Sequence, residues 1–183
     1  AANPAMLEMF RDRDRRPLRD MAPWAGEFAG KYLTHAAQIY RLTQDERLRE
    51  HLTWFVGELV SLQAEDGYLG PWPKDCRLTG EAPNSGIQPG KRHPTWDAWG
   101  HYHVMLGFLF WHEVSGDRRA LACARRIADL VCRMFLDGGR RLVSTGSEEM
   151  NLAPIHALCL LYEKTGEARY LAMAREIEMD FEA

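Results

Sequence analysis

Tyr40-Arg41-Leu42-Thr43-Gln44-Asp45, His112-Glu113-Val114-Ser115-Gly116-Asp117 and Tyr162-Glu163-Lys164-Thr165-Gly166-Glu167 are copies of one joint, each closing an amphipathic stretch and opening another. At Gly116 and Gly166 the glycine can take the left-handed backbone that ends a helix, while Ser/Thr and Asp/Glu suit the start of the next. At the first joint Thr43-Gln44-Asp45-Glu46 also reads as a capping box. A unit repeated in this way buries its apolar face only by stacking on its neighbours, so the joints predict three stacked helical hairpins.

Outward from the joints, the second member of each pair carries an apolar stripe at helical spacing. These stripes are Leu48, Leu52, Phe55 and Leu59; Leu121, Ala124, Ile127, Ala128 and Val131; and Tyr170, Leu171, Ala174 and Ile177. The first members, Phe28 to Tyr40 and above all Trp99 to Val114, carry few charges. This predicts an inner layer of first members and an outer layer of second ones. Links within a hairpin are about three residues, whereas Asp66 to Pro94 and Asp137 to Glu148 are long connections of the kind that carry function. Short turns then lie at one end of the stack, and the long loops with the inner helix starts lie at the other. The first long loop holds Asp66-Gly67-Tyr68-Leu69-Gly70-Pro71-Trp72-Pro73, Pro83-Asn84-Ser85-Gly86 and Pro89-Gly90, whose glycines and prolines demand turns. The expected fold is all-α, one domain over residues 1–183, with three hairpins curving as half of an (α/α)6 toroid. A six-hairpin ring needs about twice this length, so the chain reads as a fragment or an open arc.

Of the 183 residues 46% are hydrophobic and 27% charged, which suits a globular domain with a continuous core. The net charge of -3, from 23 basic and 26 acidic residues well mixed, leaves no electrostatic footprint for nucleic acid. The basic cluster Arg11 to Arg19, broken by Asp12, Asp14 and Pro17, reads as a solvated leading segment. The longest apolar run, Val104 to Trp111, is far short of the roughly 20 residues that span a bilayer, so no membrane partner and a soluble protein are expected. The N-terminus shows no signal-peptide pattern, and localisation stays open because a mature chain would have lost one. Cys76, Cys123, Cys132 and Cys159 lack C-x-x-C spacing, and three sit in apolar helical stretches as expected reduced core residues. Phosphate loops, H-E-x-x-H, nucleophile elbows and aspartate-rich clusters are absent, and no cofactor or metal site is expected.

Four groups fall at the loop-rich end. Trp24, Glu27 and Lys31 open the first inner helix; Glu27 and Lys31 at i, i+4 read on their own as a surface ion pair. Tyr68 and Trp72 are loop aromatics that either stack on sugar faces or plug the end of the helical stack. His93, Trp96, Asp97, Trp99, His101 and His103 surround the second inner helix start. There Asp97 sits one turn from His101 and can orient its imidazole. His101 and His103 point about 200° apart, so both cannot serve one ligand, and His103, deeper in the apolar run, reads as the buried structural histidine. Glu148, Glu149 and Asn151 lead into the third inner helix, where the helix dipole alone favours acidic residues. Glycosidase chemistry needs two carboxyl groups flanking the scissile bond, and spacing singles out no pair.

Several segments, in order, resemble the bacterial β-L-arabinofuranosidase-like glycoside hydrolases of family 127 and its relatives. They are Trp24-Ala-Gly-Glu27-Phe-Ala-Gly30-Lys31-Tyr-Leu, Gln63-Ala-Glu-Asp66-Gly67-Tyr68-Leu69-Gly70, Trp96-Asp97-Ala-Trp99-Gly-His101 and Leu161-Tyr162-x-x-Thr165-Gly166-Glu167-x-x-Tyr170-Leu171. The resemblance implies an (α/α)6 toroid whose sugar pocket opens where the inner helices begin. It implies a carbohydrate partner and raises Glu27, Lys31, Tyr68, Asp97 and His101 as pocket residues. Family members place a cysteine nucleophile beside a zinc held by further cysteines and a glutamate in the later half of the barrel. No cysteines here match that pattern, and Cys159 lies inside a helix.

The expectation is therefore a glycoside hydrolase-like protein that acts on or binds carbohydrate and lacks the catalytic centre in this chain. Its catalytic candidates are Glu27, Asp97, His101 and Glu149, and its substrate-binding candidates Trp24, Lys31, Tyr68, Trp72, Trp96 and Asn151. Half a ring would leave inner helices such as Trp99 to Val114 with an exposed apolar flank, predicting a homo-oligomer or a missing C-terminal half as partner. The alternatives are a sugar epimerase on the same toroid, using paired histidines, and a non-enzymatic helical-repeat binding module.

Overall fold

The computed structural model describes residues 4–86 and 93–181 of the 183; Pro89 and Gly90 of the first long loop lie outside these, as does the Glu148 side chain. A short α1 (Ala5–Arg11) precedes the hairpins α2 (Glu27–Thr43)/α3 (Glu46–Ser61) and α4 (Asp97–Ser115)/α5 (Arg118–Val131). After α5, which continues into a π turn over Cys132–Leu136, come the single turn α6 (Glu148–Asn151) and the hairpin α7 (Pro154–Thr165)/α8 (Ala168–Phe181). Among the described residues, extended structure is a two-residue antiparallel ladder inside the first long loop, β1 (Glu81–Ala82) with β2 (His93–Pro94), and an isolated bridge between Met21 and Ser85. No helix among the described residues is long and apolar enough to cross a membrane.

Each joint works by the same local bonds. Gln44, Gly116 and Gly166 take the left-handed conformation, and their N–H groups donate to Tyr40, His112 and Tyr162 carbonyls. The Ser/Thr hydroxyl before each turn donates one turn back, Thr43 to Ile39, Ser115 to Trp111 and Thr165 to Leu161, and accepts from the N–H two residues on. The acidic residue then caps the next helix: Asp45 accepts from Leu48 N–H at 2.9 Å and Asp117 from Arg119 N–H at 2.9 Å. The capping box expected at Thr43 does not form: Thr43 is spent on closing α2, Asp45 is the N-cap of α3, and Leu48 at the third helical position has no side chain to bond back. Gln44 tolerates the left-handed backbone without being glycine, its side-chain amide donating to the Tyr40 and Arg41 carbonyls.

The inner layer is α2, α4 and α7, with α4 in the middle, and each inner helix packs against its own outer partner. Helix α4 buries Val104, Met105, Phe108, Leu109 and Trp111, while α5 turns Ala120, Cys123, Ala124, Ile127 and Val131 inward. Contact between α2 and α4 is close enough to exclude side chains. A Cβ at Gly30 would fall 2.2 Å from the His103 carbonyl carbon, and one at Gly107 would fall 3.0 Å from the Gly30 oxygen. The expected apolar flank on Trp99 to Val114 is consequently covered by α2 and α7. Among the described residues the large exposed apolar side chains lie elsewhere, at Trp24 before α2, Phe28, Ile39 and Leu42 of α2, Trp54 of α3, and Met179 and Phe181 of α8.

The leading segment is less solvated than its charge implies. Leu7 and Phe10 of α1 join the core, Arg11 pairs with Glu8 and Glu58, and Asp14 accepts from Lys74 N–H at 2.8 Å. Arg13 turns inward toward the Tyr68 ring, its centre 5.7 Å away, with its guanidinium pKa lowered by burial and by Arg77. The chain then bridges to the first long loop: Met21 N–H donates to Asn84 O, Gly86 N–H to Met21 O, and Trp96 N–H to Pro23 O, all at 2.9 Å. These bonds bring the starts of α2 and α4 side by side.

Candidate functional site

A row of polar and aromatic side chains crosses the inner layer from α2 to α7 near the loop-rich end. Glu27, the first residue of α2, is 8% exposed; its Oε1 lies 2.8 Å from Lys31 Nζ and its Oε2 accepts from the Trp99 indole N–H. The Lys31 ammonium also lies 5.4 Å from the centre of the Trp99 ring, a cation–π contact. What reads in sequence as a surface ion pair is thus a part-buried cluster, because α4 supplies the indole that α2 alone cannot show. His103 meets Trp99 edge to face at 4.4 Å, and its buried Nε2 has no hydrogen-bond partner among the described residues. Burial first, then the Lys31 charge, lower the His103 pKa to about 4 against the opposing pull of Glu27, so its imidazole is neutral at pH 7. Tyr102 continues the row, its ring 5.6 Å from Trp99 and its hydroxyl 3.1 Å from Nδ1 of His156 on α7. At the rim, Trp24 and Trp96 lie 5.3 Å apart with Trp24 40% exposed, offering an aromatic surface beside Glu27.

The structure places the other predicted residues behind this row. Tyr68, Trp72, Asp97, His101 and Asn151 are all buried. The Tyr68 hydroxyl lies 3.1 Å from both Asp97 carboxylate oxygens and accepts from Trp72 N–H at 3.1 Å. Burial, and then the Asp97 charge, raise the Tyr68 pKa well above the usual phenol value, so this hydroxyl stays protonated and can donate. Asp97 further accepts from Leu78 N–H at 2.7 Å. His101 Nε2 accepts from Leu69 N–H at 3.2 Å, which leaves Nδ1 to donate to the Asp97 carbonyl at 2.8 Å. This network fastens the first long loop to α4. Asn151 does the same for α6, donating to the Thr95 and Gly146 carbonyls at 3.1 and 2.8 Å and accepting from Trp99 N–H at 3.4 Å. Glu149, two residues before Asn151 on α6, is exposed.

Two assignments change as a result. The structural histidine is His101, bonded through both ring nitrogens, whereas His103 belongs to the row with Glu27 and Lys31. Spacing shows that the two diverge, but only the neighbours of α4 decide which of them is enclosed. Tyr102 and His156 enter as site members that the sequence reading did not name, and Trp99 and His103, grouped there but not among its candidates, join them. The signal for Trp99, Tyr102 and His103 was present in the aromatic and histidine content of Trp99-Gly-His-Tyr-His103, masked by the apolar run that follows.

The resemblance implies a zinc and thiolate centre, which the described residues do not fit. Among the described residues no group of three or more His, Cys, Asp or Glu side chains converges to hold a metal ion. Burial pushes the Cys123 thiol up to about 12 and the Cys132 thiol up to about 11, away from the thiolate that ligation or nucleophilic attack requires.

The family described as Beta-L-arabinofuranosidase, GH127 catalytic domain, matches residues 3–180. The chain is 29% identical over 147 residues to a non-reducing end β-L-arabinofuranosidase of Bifidobacterium longum subsp. longum, a match covering 79% of this chain and 21% of that protein. Among solved structures, a GH127 β-L-arabinofuranosidase from Geobacillus stearothermophilus T6 superimposes with a TM-score of 0.68 at 19% identity, over 97% of this chain and 27% of the other. The GH127 β-arabinofuranosidase BT3674 superimposes with a TM-score of 0.72 at 18% identity, over 94% and 27%. The fold is that of part of an (α/α)6 toroid, and the chain spans about a quarter of the length of these relatives.

Proposed function

Because this chain belongs to the family of β-L-arabinofuranosidase GH127 catalytic domains, we propose that it forms one wall of a carbohydrate pocket, a single all-α domain contributing an arc of the ring. The observation that carries this reading is the row from Glu27 to His156. It combines a carboxylate, an ammonium group and two aromatic surfaces at the end where the long loops gather. Sugars present apolar C–H faces and hydroxyl edges, and such a surface meets both. In this reading Trp24, Trp96 and Trp99 stack, and Lys31 meets hydroxyls. Glu149 is the second carboxylate at that end, while Asp97, His101, Tyr68, Trp72 and Asn151 support the wall from behind.

The isolated chain binds an L-arabinofuranoside weakly and hydrolyses it little, since neither a free carboxylate pair nor a reactive thiolate is assembled on this face. Methyl β-L-arabinofuranoside at millimolar concentration is expected to shift the indole NMR signals of Trp24 and Trp99, with a Kd of about 1 mM or weaker. Absence of any shift would sink the carbohydrate reading. Robust turnover of an aryl arabinofuranoside, lost in Glu27→Gln, would overturn the statement that this chain lacks the catalytic centre. An epimerase is less well supported, because His101 and His103 lie on different sides of α4 and do not pair.

We also propose that the chain self-associates in solution, as a homo-oligomer or in place of the remainder of the ring. Phe28, Ile39 and Leu42 are spaced along α2 and exposed, Trp54 of α3 is exposed too, and water-exposed apolar area of this kind favours burial. Light scattering at micromolar concentration is expected to give at least a dimer mass, lowered by Ile39→Lys with Leu42→Lys. A monomer at that concentration refutes the proposal.

A further inference from the structure

Building on the carbohydrate reading, we infer that Glu27 is a positioning residue whose two carboxylate oxygens hold the Lys31 ammonium and the Trp99 indole, and that Lys31 is the group offered to a bound sugar. Both oxygens are committed, Oε1 to Lys31 Nζ at 2.8 Å and Oε2 to the Trp99 indole N–H. An ionised carboxylate has about four acceptor sites; these two bonds take one on each oxygen and fix the plane of the group, so Glu27 is oriented by Lys31 and Trp99 rather than free to turn toward a glycosidic bond. Exposure points the same way, since the Glu27 side chain is 10% exposed and that of Lys31 is 38%.

The donor count supports this division of labour. An ammonium group has three N–H donors, so the bond to Glu27 leaves Lys31 with capacity for a sugar hydroxyl or ring oxygen. An indole has one, so the bond to Glu27 uses it up and fixes the plane of the Trp99 ring. The ring then faces Lys31 on one side and meets the edge of His103 on another. Around His103 stand Lys31, Glu27 and His35 from α2 and Tyr102 from its own helix, with His156 of α7 reached through Tyr102. Lys31 is therefore the one lysine or arginine in this row among the described residues, and Glu27 sets where it sits.

The test compares Glu27→Gln, Lys31→Met and the double variant with the parent chain, with Lys31→Arg as a charge-conserving control. The first readout needs no ligand and is the NMR titration midpoint of His103. Lys31→Met removes a like charge and is expected to raise the midpoint above about 4, Glu27→Gln is expected to lower it, and Lys31→Arg is expected to leave it near the parent value. The second readout is the affinity for methyl β-L-arabinofuranoside, measured from the Trp99 indole shift. Each single variant is expected to weaken binding about tenfold and the double no further, as for groups acting as a unit. Losses that multiply in the double variant, or full affinity in Glu27→Gln, overturn the inference, as do His103 midpoints that fail to move in opposite directions. If the parent chain gives no response to the sugar, the carbohydrate reading fails, and the His103 midpoints still decide whether Glu27 holds Lys31 in place. Should Lys31→Met not fold, reductive dimethylation of the folded chain supplies a second perturbation of Lys31: it keeps the charge, removes N–H donors and is expected to weaken sugar binding.

Discussion

Gly30→Ala is expected to destabilise the chain by about 3 kcal/mol, at the upper end of overpacking penalties and a large share of a typical domain stability of about 5–15 kcal/mol. The added methyl would sit 2.2 Å from the His103 carbonyl carbon, 2.4 Å from its oxygen and 2.4 Å from Val104 nitrogen. All three are backbone atoms of α4, so relief requires the two central helices of the inner layer to separate. Their separation would also pull Glu27 away from Trp99. Helix propensity acts in the opposite sense, since alanine is favoured over glycine in a helix interior by about 1 kcal/mol. Gly57 in α3 supplies the control, because a Cβ there meets nothing within 4 Å. Gly57→Ala should gain stability by up to about 1 kcal/mol, and urea denaturation of the two variants measures both signs. A stable, fully folded Gly30→Ala would mean that α2 and α4 are not in the contact described.

Asp97→Ala is expected to cost about 2–5 kcal/mol, from two or more buried donors left unsatisfied at about 1–3 kcal/mol each. Asp97 is 2% exposed and accepts from Leu78 N–H and the Tyr68 hydroxyl, with His101 Nδ1 3.2 Å from its Oδ1. Leu78 holds a left-handed backbone at φ 52°, which is unfavourable for a leucine, and its N–H to Asp97 is what anchors that turn. Without the carboxylate, Leu78 N–H is left buried without a protein acceptor and the Tyr68 hydroxyl loses its acceptor. The loop from Asp66 to Cys76 is then held to α4 chiefly through the Leu69–His101 bond. Thermal or urea unfolding reads the loss directly. A variant of undiminished stability that had lost sugar binding would instead place Asp97 in contact with ligand.

The hairpins were legible because their signals are local. Tyr162-x-x-Thr165-Gly166-Glu167 encodes a carbonyl acceptor, a hydroxyl that closes the helix, a left-handed glycine and an acidic cap, all within six residues and all realised. The charge of the leading segment misled, since Arg13 and Asp14 have partners in the first long loop, far along the chain. Tyr68 and Trp72 could be read either as sugar platforms or as plugs for the same reason. An aromatic ring in a glycine- and proline-rich loop is free in sequence terms, and here the loop folds back so that both rings enter the core.

The pattern of residues alone determined the all-α class, the inner and outer layers, the end of the stack where the inner helices begin and the chemical types gathered there. These follow from periodicity, caps and loop lengths, which act over a few residues. Tertiary structure decided that Glu27 is bonded to Trp99 as well as Lys31, that His101 is enclosed while His103 joins the row, and that α4 has no open apolar flank. Each of those outcomes depends on how closely α2, α4 and the first long loop approach one another. That distance is set by Gly30, Gly107 and the Asp97 network acting together across stretches of chain that no local spacing relates.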